Sequence, residues 1–192
     1  MLDAIRRKVY LWAQKRQTWA KRDKDPSFRT LRHIQMVKAS FYYGGSWPEP
    51  VLCLGPRNGI ELGRLREAGM KDVVGLDLIS SSQEIWVGDM HDMPFDDHRF
   101  GMVWASHVLE HALHPQTVFS EIRRVLKPGG YLFVAYPTSF QTNWHDRWDY
   151  GAPVTLLKYL ADVPPKRASM LIAKLTRAGE SREWAALYRI DE

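Results

Sequence analysis

The sequence predicts an α/β fold in which a doubly wound, mostly parallel sheet of about seven strands carries helices on both faces and follows a basic helical extension. Three observations predict it. From residue 50 onward, short apolar runs alternate with segments of helical length, which is typical of a parallel sheet. The first run ends in a glycine-bounded loop, VLCLGPRNG at 51–59, and the second ends in a carboxylate, Asp77. Open sheets of this kind bind their ligands at the edge where such loops collect.

Each element has a local signal. Apolar runs bounded by glycine, proline or acidic residues predict strands near 50–54, 72–77, 84–87, 101–106 and 130–136. Helices are predicted over 59–68 and 115–126; Pro115 suits the first turn of the second, and the sequence KPGG at 127–130 ends it. In the tail, a helix is predicted over 154–160 and an antiparallel hairpin over 167–175 and 183–190. A helix over 167–175 fits nearly as well.

Residues 1–46 are predicted to form the basic helical extension, and residues 47–192 the body of the fold. Apolar residues recur at spacings of three, four and seven, which predicts an amphipathic helix: Leu2, Ile5, Val9, Trp12 and Trp19. The sequence DPS at 25–27 breaks it before a second helix over 28–41. We expect the apolar stripe to pack on the body and leave a cationic rim in solvent. Attraction of residues 1–40 to an anionic membrane, a protein partner or nucleic acid is the alternative.

Composition and charge limit the function classes. The chain has 192 residues, 45% of them hydrophobic, and a net charge of +5. Residues 1–40 hold eleven Lys and Arg against three Asp, a net of +8, which leaves −3 for the remainder. No zinc-finger spacing or RNA-stacking motif is present, so nucleic acid is the less favoured partner. The single cysteine, Cys53, and the lack of a secretory signal or an apolar run of about 20 residues favour a cytoplasmic protein, with peripheral membrane contact as an alternative.

Four segments between residues 51 and 137, and the order in which they follow one another, carry a resemblance to a known family: VLCLGPRNG, VVGLDL, GDMHDMPFDDHRFGMVWASHVLEH and EIRRVLKPGGYLFVAYP. Together they resemble the class I S-adenosylmethionine-dependent methyltransferases of the small-molecule group with a Leu-Glu-His signature. The resemblance implies a Rossmann-like fold, the cofactor S-adenosylmethionine, and methyl transfer to a small-molecule, sugar or lipid-linked acceptor. An NAD site is less favoured, because the G-x-G-x-x-G fingerprint would need glycine where Arg57 and Ile60 stand.

The resemblance also implies a set of cofactor-binding residues. Glycines in the first loop let the backbone approach a ligand, and a carboxylate after the second strand accepts hydrogen bonds from ribose hydroxyls. The residue in the position of Asp89 accepts from the adenine amino group in the family. The full set is Gly55, Arg57, Asn58, Gly59, Asp77, Leu78, Asp89, Met90 and Ser106. Alternatively, Asp77 caps a turn and Asp89 forms an Asx-turn with local amides.

Two histidines are candidate catalytic residues. A base helps if the acceptor is a hydroxyl; His107 borders the transfer point by its motif position, and His145 lies in the aromatic segment 143–150 that follows the fifth strand. That segment either walls an acceptor pocket or is a packed aromatic turn. We expect Glu110 and His111 to anchor a helix. No pair of histidines has metal-ligand spacing, so no metal is predicted.

Two positions depart from the family pattern. Cys53 stands where the family usually has an acidic residue, and Arg57 stands where it usually has a glycine. The second hypothesis is therefore a catalytically degenerate methyltransferase fold that acts as a binding or scaffold protein. The Asn/Asp-Pro-Pro-Tyr motif of base-flipping methyltransferases is missing at 135–138, which disfavours methylation of a nucleobase.

Overall fold

The computed structural model of this chain describes residues 2–41, 46–80, 82–138, 141–143, 146–161, 168–178 and 181–191. Strands and helices alternate as the sequence predicts. In chain order they are α1 (Leu2–Ala20), α2 (Ser27–Phe41), β1 (Val51–Leu54), α3 (Ile60–Glu67), β2 (Val73–Asp77), β3 (Ile85–Val87), β4 (Phe100–Ser106), α4 (Pro115–Val125), β5 (Leu126–Thr138), α5 (Pro153–Ala161), β6 (Ala168–Ala178) and β7 (Ser181–Ile190). A short 3₁₀ turn, Leu109–His111, lies between β4 and α4.

The strands form one seven-stranded sheet in the order β3-β2-β1-β4-β5-β7-β6. Strands β1 to β5 pair in parallel, whereas β7 pairs antiparallel with β5 and with β6. The mostly parallel sheet is confirmed, and the hairpin in the tail is preferred over the helix that fitted residues 167–175 nearly as well. The strand order reverses between β1 and β4, and a ligand crevice opens beyond the carboxyl ends of strands at such a point.

Helices cover the sheet on both faces because β1 and β4 are apolar on both sides. Leu52 and Val103 share one core with α4 and α5, and Cys53 and Trp104 share the other with α2 and α3. Burial raises the pKa of the Cys53 thiol well above its usual value, which agrees with a structural strand residue. Strand β5 already begins at Leu126, opposite Phe100, and a register shift absorbs the glycines that follow.

Helix α1 belongs to neither layer, because it crosses the carboxyl edge of the strands. Tyr10, Ala13 and Gln14 are buried there, and Tyr10 Oη donates a hydrogen bond to the carbonyl oxygen of His111 at 2.7 Å. The apolar stripe lies on the other side of the helix, and its members Ile5 and Trp12 are exposed. The expectation that this stripe packs on the body is therefore wrong. The carboxylates and carbonyl oxygens at this edge of the sheet need hydrogen-bond donors, and polar side chains of α1 supply them.

Candidate active site

A cavity lies at the carboxyl ends of β1, β2 and β4, with an empty volume of about 640 Å³ counted to its open mouth. Its inner wall is formed by the ends of the strands and the loops after them. Its outer wall is one side of α1. Most of the predicted cofactor-binding residues line it, together with the catalytic candidate His107: Gly55, Arg57, Asp77, Leu78, Asp89 and Met90. We call it the strand-end cavity.

The loop after β1 is held in a left-handed backbone conformation. Gly55 has φ of 69°, and a Cβ there would lie 2.8 Å from Val108 Cγ2, so both conformation and packing require glycine. Arg57 adopts the same region with φ of 59° although it has a side chain. The glycine-to-arginine departure at 57 thus keeps the turn at a cost in backbone strain. Gly59, with φ of 76°, is the N-cap of α3 and does not line the strand-end cavity.

Asp77 ends β2 and stabilises this loop while it faces the cavity. Its Oδ2 accepts a hydrogen bond from the backbone amide of Arg57 at 3.0 Å, and its Oδ1 accepts from Leu78 at 2.7 Å. Burial raises the pKa of Asp77, although both amides act to lower it. The turn-capping role considered from the sequence is therefore present together with a position on the cavity wall.

Asp89 is fixed on two sides. Its Oδ1 accepts from the backbone amide of His91 at 3.0 Å, which is the Asx-turn alternative, and lies 2.6 Å from Nδ1 of the same residue. Its Oδ2 accepts from Arg7 Nη2 of α1 at 3.0 Å. Burial alone would raise the pKa of this carboxyl, but His91 and Arg7 lower it to about 2. Asp89 is consequently an anion that ties α1 to the site.

The loop between β1 and α3 binds the connection between α1 and α2 through hydrogen bonds. Asn58 Nδ2 donates to the carbonyl oxygens of Arg22 and Lys24, at 2.7 and 3.0 Å. Arg57 Nη1 lies 3.4 Å from the carbonyl oxygen of Lys21. Asn58 thus binds this connection, and Asn58 does not line the strand-end cavity.

Sequence reasoning missed the contribution of α1 to the site. The helix lines the cavity or bonds to its wall through residues spaced by three and four: Arg7, Tyr10, Gln14, Gln17 and Lys21. This polar series has the same helical period as the apolar stripe and was available as a signal. Burial and the charge of Arg57 lower the pKa of the Lys21 ammonium.

A second cavity, of about 1000 Å³ on the same measure, adjoins the first beneath the α1–α2 connection. We call it the connection cavity. Ser106 and Asn58, two of the predicted cofactor-binding residues, line this cavity and not the strand-end cavity. Four cationic side chains line it: Lys21, Lys24, Arg29 and Arg57.

Four carboxylates line the connection cavity as well, and protein groups contact each of them. Asp25 accepts from the backbone amide of Ser27 at 2.7 Å, and Glu61 accepts from Trp104 Nε1 at 3.0 Å. Asp146 pairs with His111 Nδ1 at 3.1 Å, and chiefly this contact lowers its pKa to about 2. The fourth is Glu110, which is buried; its Oε2 has no hydrogen-bond partner among the described residues.

His107 lies on the wall of both cavities. It has a left-handed backbone, with φ of 53°, and its ring lies between two carboxylates. Nε2 forms a short contact with Glu183, and Nδ1 is 3.6 Å from Glu110 Oε1. Burial opposes the ionised form of Glu183, yet His107 and His33 hold the pKa of that carboxyl well below its usual range.

The second catalytic candidate, His145, lies outside the described residues. The described aromatics of the same segment pack against the chain. Trp148 Nε1 donates to the carbonyl oxygen of Ala112 at 2.7 Å, and Tyr150 Oη donates to that of Leu109 at 2.9 Å. Neither lines the two cavities, so this part of the segment is a packed aromatic turn.

The central part of the chain is similar in sequence to known methyltransferases. Residues 52–134 match the family described as "Methyltransferase domain", a range that contains every candidate cofactor-binding residue. Over 88 residues the chain is 35% identical to the sterol 4-C-methyltransferase of Caenorhabditis elegans. The aligned stretch covers 45% of this chain and 26% of that protein. The chain spans 30% or less of the length of the curated relatives it matches.

Solved methyltransferase structures share the fold. The 1,6-didemethyltoxoflavin N1-methyltransferase of Burkholderia thailandensis, determined with 1,6-didemethyltoxoflavin and S-adenosylhomocysteine, has a TM-score of 0.69 at 14% identity, covering 100% of this chain and 89% of that one. The N-methyltransferase NodS of Bradyrhizobium japonicum, in complex with S-adenosylhomocysteine, has a TM-score of 0.68 at 16% identity, covering 95% and 99%. At these identities the likeness shows the fold.

Proposed function

We propose that this protein is an S-adenosylmethionine-dependent methyltransferase that acts on a small-molecule acceptor, with a sugar or a lipid-linked molecule included in that class. The observation that carries the proposal is the strand-end cavity. It gathers Gly55, Asp77 and Asp89 at the reversal of strand order, in a region of sequence that matches a methyltransferase domain. Binding at this point is a property of open α/β sheets in general.

The residues of the strand-end cavity suit the parts of S-adenosylmethionine. Asp77 would accept hydrogen bonds from the ribose hydroxyls, and Met90 would lie beside the adenine ring. Arg57 would pair with the carboxylate at the methionine end of the cofactor. This contact makes up only in part for the acidic residue that Cys53 replaces, because that residue would bind the ammonium group of the cofactor. Asp89 would reach the adenine amino group while it still accepts from Arg7. When bound, the cofactor supplies an electrophilic methyl group; the protein supplies orientation and excludes water.

The connection cavity is the proposed acceptor site, because it adjoins the strand-end cavity along the wall that holds His107. With Arg57 assigned to the cofactor, Lys21, Lys24 and Arg29 favour an acceptor that carries a carboxylate or a phosphate. Arg29 Nε lies 3.9 Å from Glu183 Oε2, and Asp146 and Glu110 act on Lys21, so the anionic group of the acceptor would share these cations with protein carboxylates. A sugar phosphate and a lipid-linked phosphate both meet this description.

His107 is the proposed base for an acceptor that loses a proton, and Glu183 positions its ring. The histidine lies on the border between the proposed cofactor and acceptor sites, within contact of Glu183. Buried carboxylates orient catalytic imidazoles in this way in other enzymes. Glu110, with an unbonded buried oxygen in the same cavity, is a second group able to accept the proton. His145 stays a candidate from the sequence alone.

Calorimetric titration with S-adenosylmethionine and S-adenosylhomocysteine tests the cofactor site. We expect micromolar binding, equivalent to roughly −8 kcal/mol. In the variant Asp77→Ala the affinity should fall about 100-fold or more, because hydrogen bonds to a charged acceptor contribute about 1.5–3 kcal/mol each. The exposed Asp96→Ala is the matched control and should bind as the unmodified chain does. Unchanged affinity in a folded Asp77→Ala protein would contradict the placement of the site.

The alternative is a degenerate methyltransferase fold that serves as a binding or scaffold protein. Cys53 and Arg57 favour it, since both depart from the family pattern in the loop that approaches the cofactor. Absence of binding by either ligand at millimolar concentration would support this alternative. Binding without methyl transfer to any anionic acceptor would leave a cofactor-dependent binding protein.

A further inference from the structure

The side of α1 that points away from the site is unusually apolar for a solvent-facing surface. Ile5, Val9, Trp12 and Trp19 are 54%, 44%, 62% and 59% exposed. At the start of α2, Phe28 is exposed to 81%. Large exposed apolar patches on proteins mark surfaces that bind something, whereas single exposed residues do not. We call the four residues of α1 the α1 outer stripe.

The helical period makes these residues one surface. Steps of four, three and seven residues return to the same side of a helix, so 5, 9, 12 and 19 lie in a row. The residues that contact the site, Tyr10 and Gln14, are buried on the opposite side. Packing against the body therefore leaves the whole stripe uncovered.

Positive charge surrounds the stripe. Exposed Lys8 and Lys15 lie on the same side of the helix, and the guanidinium carbon of Arg16 is 5.5 Å from the ring centroid of Trp12. Arg22 lies 4.2 Å from the ring centroid of Trp19. The positive charge of the chain is concentrated in residues 1–40, while the remainder carries net negative charge. An anionic surface would thus attract this end of the molecule and turn the stripe toward itself.

Tryptophan, aliphatic side chains and flanking Lys and Arg are the combination that suits a lipid–water interface. Tryptophan rings partition to the headgroup level, aliphatic side chains enter the acyl boundary, and cations bind anionic headgroups. A nucleic acid would use the cations but would leave Ile5 and Val9 in water. None of the helices in the described part of the chain has the length and apolar content of a membrane span.

We propose that the α1 outer stripe binds the surface of an anionic lipid membrane. The proposal does not depend on methyl transfer. It rests on the exposure of the stripe, its position opposite the site and the charge around it.

Co-sedimentation of the full chain with lipid vesicles tests the proposal. We expect binding to vesicles of phosphatidylcholine mixed with phosphatidylserine, weaker binding at high salt, and none to phosphatidylcholine alone. The double variant Trp12→Ser/Trp19→Ser should lower the partition coefficient by about tenfold or more. Lys8→Glu/Lys15→Glu should lower it while leaving the aromatics in place. Because these four side chains are exposed, circular dichroism and melting temperature should not change.

Trp86→Ser is the matched control, since Trp86 is 51% exposed but lies on β3 at the far edge of the sheet. It should bind vesicles like the unmodified chain. Equal binding to both vesicle types, or unchanged binding by Trp12→Ser/Trp19→Ser, would overturn the proposal. So would light scattering that shows a dimer abolished by the same double variant, with no vesicle binding; the stripe would then join two copies of the chain.

Discussion

Glu183 is the residue on which four basic side chains converge: Arg29, Arg32 and His33 from α2, and His107 from the end of β4. His33 Nε2 and Arg32 of α2 contact its Oε1, and His107, just after β4, contacts its Oε2. Since Glu183 belongs to β7, this one carboxylate joins a helical layer, the sheet and the wall of the connection cavity. A buried carboxylate with several charged partners fixes the geometry of each of them. We therefore treat it as the positioning residue for His107.

Neutralising this carboxylate should slow the proposed methyl transfer without weakening cofactor binding. In Glu183→Gln the ring of His107 loses the carboxylate that orients it, so we expect kcat to fall by about tenfold or more while the affinity for S-adenosylmethionine stays unchanged. Glu121→Gln, which removes a carboxylate paired with Arg124 on α4, is the control. A loss of kcat of the same size in both variants would mean that Glu183 acts only on stability.

At the scale of elements, the sheet was predictable and the position of α1 was not. Strand β4, predicted over 101–106, is Phe100–Ser106. A strand that is apolar on both faces is stable only where both faces are buried, which is the centre of a parallel sheet. In α1 the period of the stripe was correct, but periodicity does not state which side of a helix is buried. The side was decided by Asp89 and the carbonyl of His111, partners that lie 82 and 101 residues from Arg7 and Tyr10.

The tie between α1 and the loop after β3 should govern how readily the helix leaves the cavity. Arg7→Ala removes the hydrogen bond to Asp89, an exposed pair that contributes about 0–1 kcal/mol to stability. We expect the melting temperature to change little, while amides of residues 2–14 exchange with deuterium several-fold faster. Lys8→Ala, on the outer side of α1, should leave that exchange unchanged. Equal exchange in both variants would show that Tyr10 and the buried residues hold α1 without Arg7.

At the scale of the whole molecule, the acidic groups respond to pH in a direction that can be worked out. Protein partners lower the pKa of Asp89 and of Asp146 to about 2, below the value of an unfolded aspartate. Groups with a depressed folded pKa stabilise the protein above about pH 4 and lose that contribution as the pH falls toward 2. Burial raises the pKa of Asp77 and Glu61, which offsets part of this dependence.

Urea unfolding between pH 7 and pH 2.5 should therefore show a decline in the free energy of unfolding that begins near pH 4. In Asp89→Asn/Asp146→Asn the decline should be shallower, because two of the groups that bind protons on unfolding have been removed. An identical decline in both proteins would assign the acid sensitivity to other carboxylates. Glu183 and Glu121, whose pKa values are also lowered, would be the next to replace.

The contact between Glu183 and His33 joins residues 150 positions apart, and it has a consequence for the order of events during synthesis. A ribosome adds about 5–20 residues each second, so helix α2 and strand β4 leave it several seconds before β7. During that interval Arg32, His33 and His107 have no carboxylate from β7 to hold them together. The wall of the connection cavity that holds His107 thus gains its shared carboxylate only after β7 has been made.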